Sequence, residues 1–428
     1  MCGICGFFGF EDKELIKKML DSIAHRGPDD EGIFVDKDAS IGNRRLSIVD
    51  ISGGHQPMHN EDETVWVVFN GEIYNFPELK EELIKKGHRF YSNCDTEVLV
   101  HLYEEYGEDL SKKLRGMFAF CIWDANKKKA VLSIDACGIK PLNYYYENGI
   151  LLFSSEIKSI LNYHGLKAEM DRISLNYLLN LQYIPFERTL FKGVKKLLPG
   201  HTLIFEDGKI RIKKYWALNV TEDERPIEYY VKKIQTLFED SVRRRLEMSE
   251  VPVGIFLSGG IDSSAVVGIA SKFQNLRTYT VGFGEPTDEL ESAKLVSDHF
   301  GTDHHEIMVE NDLLKVMPEA VYHSEQPSIG MLQSYLVSRA AAKHVKVVLS
   351  GMGGDELFAG YVRDMYMEKN LKYGKYLPKS VSSKGMFNFI NGMPFKAGLN
   401  YHELFRRVNA VSQLKDPTRY YLLLRGSL

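Results

Sequence analysis

Cysteine is scarce in this chain and odd in number. Five cysteines in 428 residues, at positions 2, 5, 94, 121 and 137, do not make a disulfide framework, and the cytoplasm is the compartment that suits them. No apolar run reaches the ~20 residues that a helical membrane span needs. The N-terminus has no basic stretch ahead of an apolar one, so neither a membrane anchor nor a signal peptide is expected. Basic excess is lacking too. The net formal charge is −4, and Lys127-Lys128-Lys129 and Arg243-Arg244-Arg245 are short runs that read as solvated faces, which argues against nucleic acid as a partner. A Gly-Lys-Ser/Thr tripeptide is absent, which excludes the usual P-loop. What is present is ordinary for a globular protein: 44% hydrophobic and 26% charged residues. The length exceeds one core, so two domains are expected.

The stretch Val251 to Ser264 carries the densest pattern. Ile255-Phe256-Leu257 suits a buried parallel strand. Ser258-Gly259-Gly260 breaks it, and the two glycines allow backbone approaches that side chains forbid. Asp262-Ser263-Ser264 then opens an apolar helical pattern, Ala265 to Lys272. A strand, a Gly/Ser turn and a helix N-terminus make an anion site. Without a loop lysine it suits a pyrophosphate, with Asp262 set to hold Mg²⁺. The bland alternative is a βα turn that only packs. Beyond it, strands Thr278–Phe283, His304–Val309 and Val345–Leu349 alternate with helices Glu289–Phe300, Asp312–His323 and Leu332–His344, which is the signature of a doubly wound parallel sheet. Polar residues Thr221 to Pro226 mark a linker ahead of a long amphipathic helix, Tyr229–Leu246.

In the first half, Cys2 and Cys5 form a C-x-x-C without a second ligand pair, which makes zinc a poor reading. Cys5 reads as a small buried hydrophobe. Removal of Met1 would leave Cys2 with its own α-amine as base. Arg45 to Asp50 reads as a short strand carrying one arginine. Val65 to Asn75 reads as a strong strand interrupted at Asn70-Gly71-Glu72, where an amide side chain can donate to an oxyanion. Asn93 to Glu97 reads as the N-cap of a helix, Val98–Tyr106. Taken singly, each is a turn, a cap or a surface charge.

Two resemblances join these pieces. Ser258 to Ser264 resembles the pyrophosphate loop of the N-type ATP pyrophosphatases. Cys2, His25 to Asp30, Arg45 to Asp50, Asn70 to Glu72 and Asn93 to Glu97, in this order, resemble the class II glutamine amidotransferase domain. The whole, Cys2 to Tyr361, is similar to the glutamine-hydrolysing asparagine synthetases. That resemblance implies an Ntn-type αββα sandwich at 1–218, a linker at 219–227 and a pyrophosphatase-type α/β domain at 228–428, incomplete at its C-terminus. It implies Cys2 as nucleophile and Asn70 with the Gly71 N–H as oxyanion hole. It gives glutamine contacts to Arg45 (a bidentate grip on the α-carboxylate), Leu46, Ile48, Asn70, Gly71, Glu72 and Asp95. For ATP it implies Leu257, Ser258, Gly259, Gly260, Asp262, Ser263, Ser264, Val281, Ser350 and Gly351, with Asp262 and Asp355 sharing Mg²⁺. Glutamine, aspartate and ATP are the implied substrates and a homodimer the implied assembly; the same chemistry on a different carboxylate acceptor, and a glutaminase whose synthetase half binds nucleotide without turnover, stay open as alternatives. Departures stand at Ile134-Asp135-Ala136-Cys137 ahead of Gly138 to Leu142, where the family usually has Arg-Asp, and at Met352, where it carries the acidic candidate base for ammonia attack. Near Glu325-Gln326-Pro327 the family often has Asp-Glu-Pro. No match to the family's later lysine segment is found between Arg363 and Leu428, where helices are expected at Tyr401–Val408 and Tyr420–Leu424.

Overall fold

The structure, a computed structural model, describes residues 1–221, 223–284, 288–309, 313–325 and 329–361. The helices expected near the C-terminus lie outside these residues.

Strict side-chain alternation builds the first half. Strand Gly3–Phe8 is buried on both faces. Ile4 and Phe8 enter the core between two sheets, while Cys5 and Phe7 face the helix Lys13–Ser22. Cys5 is thus the apolar packing residue expected of it. The strand lies inside a six-stranded sheet ordered Val194–Lys196, Asn143–Glu147, Ile150–Ser154, Gly3–Phe8, Ala39–Arg45, Asp30–Val35. The facing sheet is ordered Lys209–Lys214, His201–Glu206, Lys129–Ile134, Gly116–Asp124, Val65–Ile73, Met58–His59. Helices Phe76–Lys86 and Val98–Tyr106 cover its outer side through Leu79, Leu83, Val98 and Leu102. The result is an αββα sandwich.

Three local expectations need correction. The strand Val65–Ile73 runs unbroken through Asn70-Gly71-Glu72, paired with Ala119, Phe118 and Met117. Gly71 allows this because a Cβ there would lie 2.2 Å from the Met117 carbonyl oxygen. The strand at Arg45 ends at that residue, and Leu46 to Asp50 leave the sheet. The helix Val98–Tyr106 has no side-chain cap; the Glu97 carboxylate instead accepts the Tyr91 and Ser92 N–H groups, both at 2.8 Å.

In the second half a long helix, Ile227–Glu247, precedes a four-stranded parallel sheet ordered Asp303–Met308, Arg277–Gly282, Val253–Phe256, Val347–Leu349. Its apolar core joins Val253, Ile255 and Leu257 to Val266, Val267 and Ala270 of the next helix, Ile261–Ala270. The chain adds two strands on one side of Val253–Phe256 and then returns to add Val347–Leu349 on the other. Ligands of open α/β sheets sit where the order reverses in this way.

By compactness the chain divides into residues 1–171 with 186–350, and residues 172–185 with 351–428. Of the second unit, helices Arg172–Leu181 and Gly354–Phe358 are described. No helix of the described residues is long and apolar enough to cross a membrane.

Candidate active sites

Cys2 precedes the first strand, and alternation from Ile4 turns it toward the gap between the sheets. Asn70 and Glu72 share the face of Val68, which enters the same gap from the opposite sheet. The Cys2 Sγ donates to the Leu46 carbonyl at 3.8 Å and accepts the Leu46 N–H at 3.4 Å. Burial pushes the thiol upward; the Leu46 N–H and the nearby N-terminal ammonium oppose this. Burial lowers the Met1 α-amine to about 6, with Arg26 and Lys140 adding to the effect. An amine lowered in this way is a free base at neutral pH beside a protonated thiol. The Cys2 carbonyl is held by Arg26 Nε at 2.9 Å. Arg26 is held in turn by Glu156 at 2.9 Å. Burial opposes ionisation of Glu156, but His25, Arg26 and Lys158 hold its carboxyl down to about 2.

Around the thiol, buried polar groups lack partners among the described residues. Asn70 Nδ2 and Glu72 Oε2 are two of them. Burial, and then the Asp95 charge, raise the Glu72 carboxyl well above its usual range. Burial also lifts Asp95 to about 6, although it accepts the Ile73 N–H at 2.9 Å. The Phe69 N–H donates to Gln56 Oε1 at 2.7 Å. Phe69 and Ile73 thus point their N–H groups off one edge of the strand, and alternation puts the Gly71 N–H between them on that edge.

Arg45 departs from expectation. Its Nη2 donates to the Val49 and Asp50 carbonyls at 2.9 and 2.7 Å, and its Nη1 to Ile51 at 3.2 Å. With both Nη2 hydrogens engaged, neither bidentate edge is free for a carboxylate. The guanidinium organises the loop that carries Leu46 and Ile48. Glu250, at the start of the second half, holds the same loop. It accepts the Asp50 and Ile51 N–H groups at 3.0 and 3.3 Å, and its own N–H donates to the Ile48 carbonyl at 3.1 Å. Sequence reasoning missed Glu156 and Glu250, because isolated charges carry no pattern, and it gave Arg26, within His25 to Asp30, no role.

The Gly-rich loop leaves the sheet at its reversal point. Leu257 is buried and takes the Tyr279 carbonyl at 2.9 Å. Ser258 Oγ and Ser263 Oγ lie 3.0 Å apart, and the Ser258 N–H donates to Ser263 Oγ at 3.2 Å. These two hydroxyls brace the loop. Gly259 has φ +76°, and a Cβ on it would lie 2.5 Å from Ser292 Cβ. Gly260 caps the helix, receiving the Ser264 N–H at 3.0 Å. The first-turn N–H groups of Ile261, Asp262 and Ser263 therefore have no carbonyl four residues back within the helix, as an anion cradle requires. Asp262 stands half-buried in that turn. Val281 is the last residue but one of the neighbouring strand, and Ser350 follows Leu349, which pairs with Ile255. Gly351, Met352 and Asp355 belong to the second unit. Within it Asp355 accepts the Gly360 N–H at 3.1 Å, and Met352 is 84% exposed.

Comparison with known proteins agrees with both halves. Residues 1–216 match the family described as glutamine amidotransferase domain, and residues 233–425 that described as asparagine synthase. The putative asparagine synthetase (glutamine-hydrolyzing) 2 of Methanocaldococcus jannaschii is 37% identical over 434 residues, across 94% of this chain and 82% of its own length. The chain belongs to the glutamine-hydrolysing asparagine synthetase family. Asparagine synthetases (glutamine-hydrolyzing) 1 and 3 of Bacillus subtilis are 41% and 36% identical, each over 84% of this chain. The chain spans 59% and 63% of the length of those two relatives. Family membership accounts for the pairing of an antiparallel sandwich bearing a buried thiol with a parallel sheet bearing a Gly-rich turn.

Proposed function

We propose that the chain transfers the amide nitrogen of glutamine to aspartate, with ATP consumed to AMP and pyrophosphate. The reading divides the chain into a glutaminase domain (1–218), a linker (219–227) and a synthetase domain (228–428), working in the cytoplasm. One observation carries the first step. A thiol, and a buried amide nitrogen and carboxyl oxygen that lack partners among the described residues, face one gap.

After removal of Met1, the α-amine of Cys2 takes the thiol proton and Sγ attacks the glutamine side-chain carbonyl. Asn70 Nδ2 and the Gly71 N–H receive the oxyanion. The amine returns its proton to the leaving nitrogen, ammonia departs, and water then hydrolyses the glutamyl thioester to glutamate. The Glu72 and Asp95 carboxyls take the substrate α-ammonium, which relieves their mutual repulsion. Arg45, Leu46 and Ile48 form the wall of the pocket.

In the second half, the N–H cradle after Gly259 takes the pyrophosphate of ATP, and Val281 borders the adenine. Asp262 is a hard oxygen donor beside that cradle and fits Mg²⁺. When bound, the ion neutralises charge on the departing pyrophosphate. The aspartate carboxylate attacks the α-phosphorus and expels pyrophosphate. Ammonia then displaces AMP from the aspartyl adenylate. Met352 supports a second reading: a thioether accepts no proton at neutral pH, so the synthetase half would bind nucleotide without turnover.

The deciding test follows AMP and glutamate release with ATP, Mg²⁺ and aspartate, using glutamine and then ammonium. AMP in step with asparagine supports the first reading; glutamate without AMP supports the second. In Cys2→Ala we expect glutamine use to vanish while ammonium-dependent AMP formation persists. Equal loss with both nitrogen sources would sink the two-site scheme.

A further inference from the structure

We propose that Glu61, His88, His101 and Glu104 form a binding site for one divalent transition-metal ion of the zinc class, on the outer helical layer of the sandwich. Three elements converge there. His101 and Glu104 stand three residues apart on helix Val98–Tyr106 and share a face. Helix Phe76–Lys86 stops at Gly87, whose φ of +104° turns the chain so that the His88 N–H returns to the Leu83 carbonyl. Glu61 lies in the turn before strand Val65–Ile73.

The four ligand atoms lie within 4.8 Å of one another. His88 Nδ1 is 3.4 Å from Glu104 Oε2 and 4.0 Å from Glu61 Oε1. His101 Nδ1 is 3.4 Å from Glu104 Oε2 and 3.6 Å from Glu61 Oε2. These spacings exceed the hydrogen-bond optimum of about 2.9 Å. A tetrahedron with metal–ligand bonds of ~2.1 Å has edges of about 3.4 Å. His101 and Glu104 make a long hydrogen bond, and the four groups still ring one point; two imidazoles with two carboxylates are a borderline donor set.

The outer contacts are those of a ligand set. His88 Nε2 faces Glu105 at 3.2 Å, and His101 Nε2 faces the buried Glu97 at 3.6 Å without a hydrogen-bond partner. The hydrogen bond to Glu105 fixes which His88 nitrogen is free to ligate. Asn60 Nδ2 holds Glu104 Oε1 at 2.8 Å, and the Arg89 N–H holds Glu61 Oε1 at 2.8 Å. His101 is 1% exposed whereas Glu61 is 39% exposed, so the ion is reached from solvent on one side. Four protein ligands make a closed, structural site, which ties a helix, a helix end and a strand turn together. It lies on the far side of the Val65–Ile73 sheet from the gap that receives Cys2.

The test titrates the full-length chain, with Cys2→Ala and Cys137→Ser removing competing thiols, with zinc chloride and then cobalt chloride. We expect one equivalent of zinc per chain, four-coordinate visible bands from cobalt, and a rise in thermal midpoint reversed by chelator. His88→Gln and Glu104→Gln, with circular dichroism unchanged, should each weaken zinc binding more than ~10-fold, and Glu105→Gln about 10- to 100-fold with every ligand retained. No zinc uptake by the parent, or uptake unaltered in both ligand variants, overturns the proposal and leaves an ion-pair cage.

Discussion

Burial dictates how the carboxyl pair Glu72 and Asp95 responds to pH. With Asp95 lifted to about 6, the folded chain binds this proton more tightly than the unfolded chain. Stability from the group is full below the ordinary carboxyl value and falls as pH rises toward 6. A bound α-ammonium reverses the penalty only when the pair is ionised. We therefore expect KM for glutamine to climb about tenfold per pH unit below ~6, since one proton must leave for each ammonium bound. Steady-state glutaminase assays from pH 5 to 8 measure this. A flat KM would remove the pair from the ammonium site.

At the scale of elements, the Gly-rich turn depends on one backbone conformation. Gly259→Ala puts a Cβ into Ser292 in a left-handed region, and costs of order 1–3 kcal/mol in local strain. We expect ATP affinity to fall at least tenfold while glutaminase activity is retained; nucleotide titration and glutamate release measure the two separately. This turn was legible in the sequence because strand, glycines and helix are contiguous there. The continuation of strand Val65–Ile73 through Gly71 was not, since a glycine signals both a break and a close approach, and only the partner strand decides. Arg45 illustrates the same limit. The family resemblance gave it a grip on substrate, but in the structure it holds the carbonyls of Val49, Asp50 and Ile51. Glu61, His88, His101 and Glu104 show no spacing motif because three elements must fold before they meet.

Across the whole molecule, the two halves share a polar seam. Arg115 meets Asp240 at 2.6 Å, and Arg244 meets Glu78 at 2.8 Å and the Tyr74 carbonyl at 3.0 Å. Glu325 accepts the Ile157 and Lys158 N–H groups at 2.6 and 2.7 Å. Glu250 matters most for function, because it holds the loop beside Cys2 and stands three residues before strand Val253–Phe256. Glu250→Ala should raise KM for glutamine several-fold while shifting stability by less than ~1 kcal/mol, as exposed contacts of this kind do. Kinetics and denaturant titration on the same preparation would check both parts. An unchanged KM would detach the seam from the glutamine pocket.

The placement of the first strand also sets a clock. Gly3–Phe8 lies inside its sheet, and its partner Ile150–Ser154 is made about 150 residues later. At ~5–20 residues per second a ribosome needs about 8–30 s to deliver that partner. Through this interval the strand can pair only with Ala39–Arg45, and its other edge stays open until Ile150–Ser154 arrives. The second edge of this strand therefore waits for residues made long after the first, and the sheet closes around its own starting point from the far end of the domain.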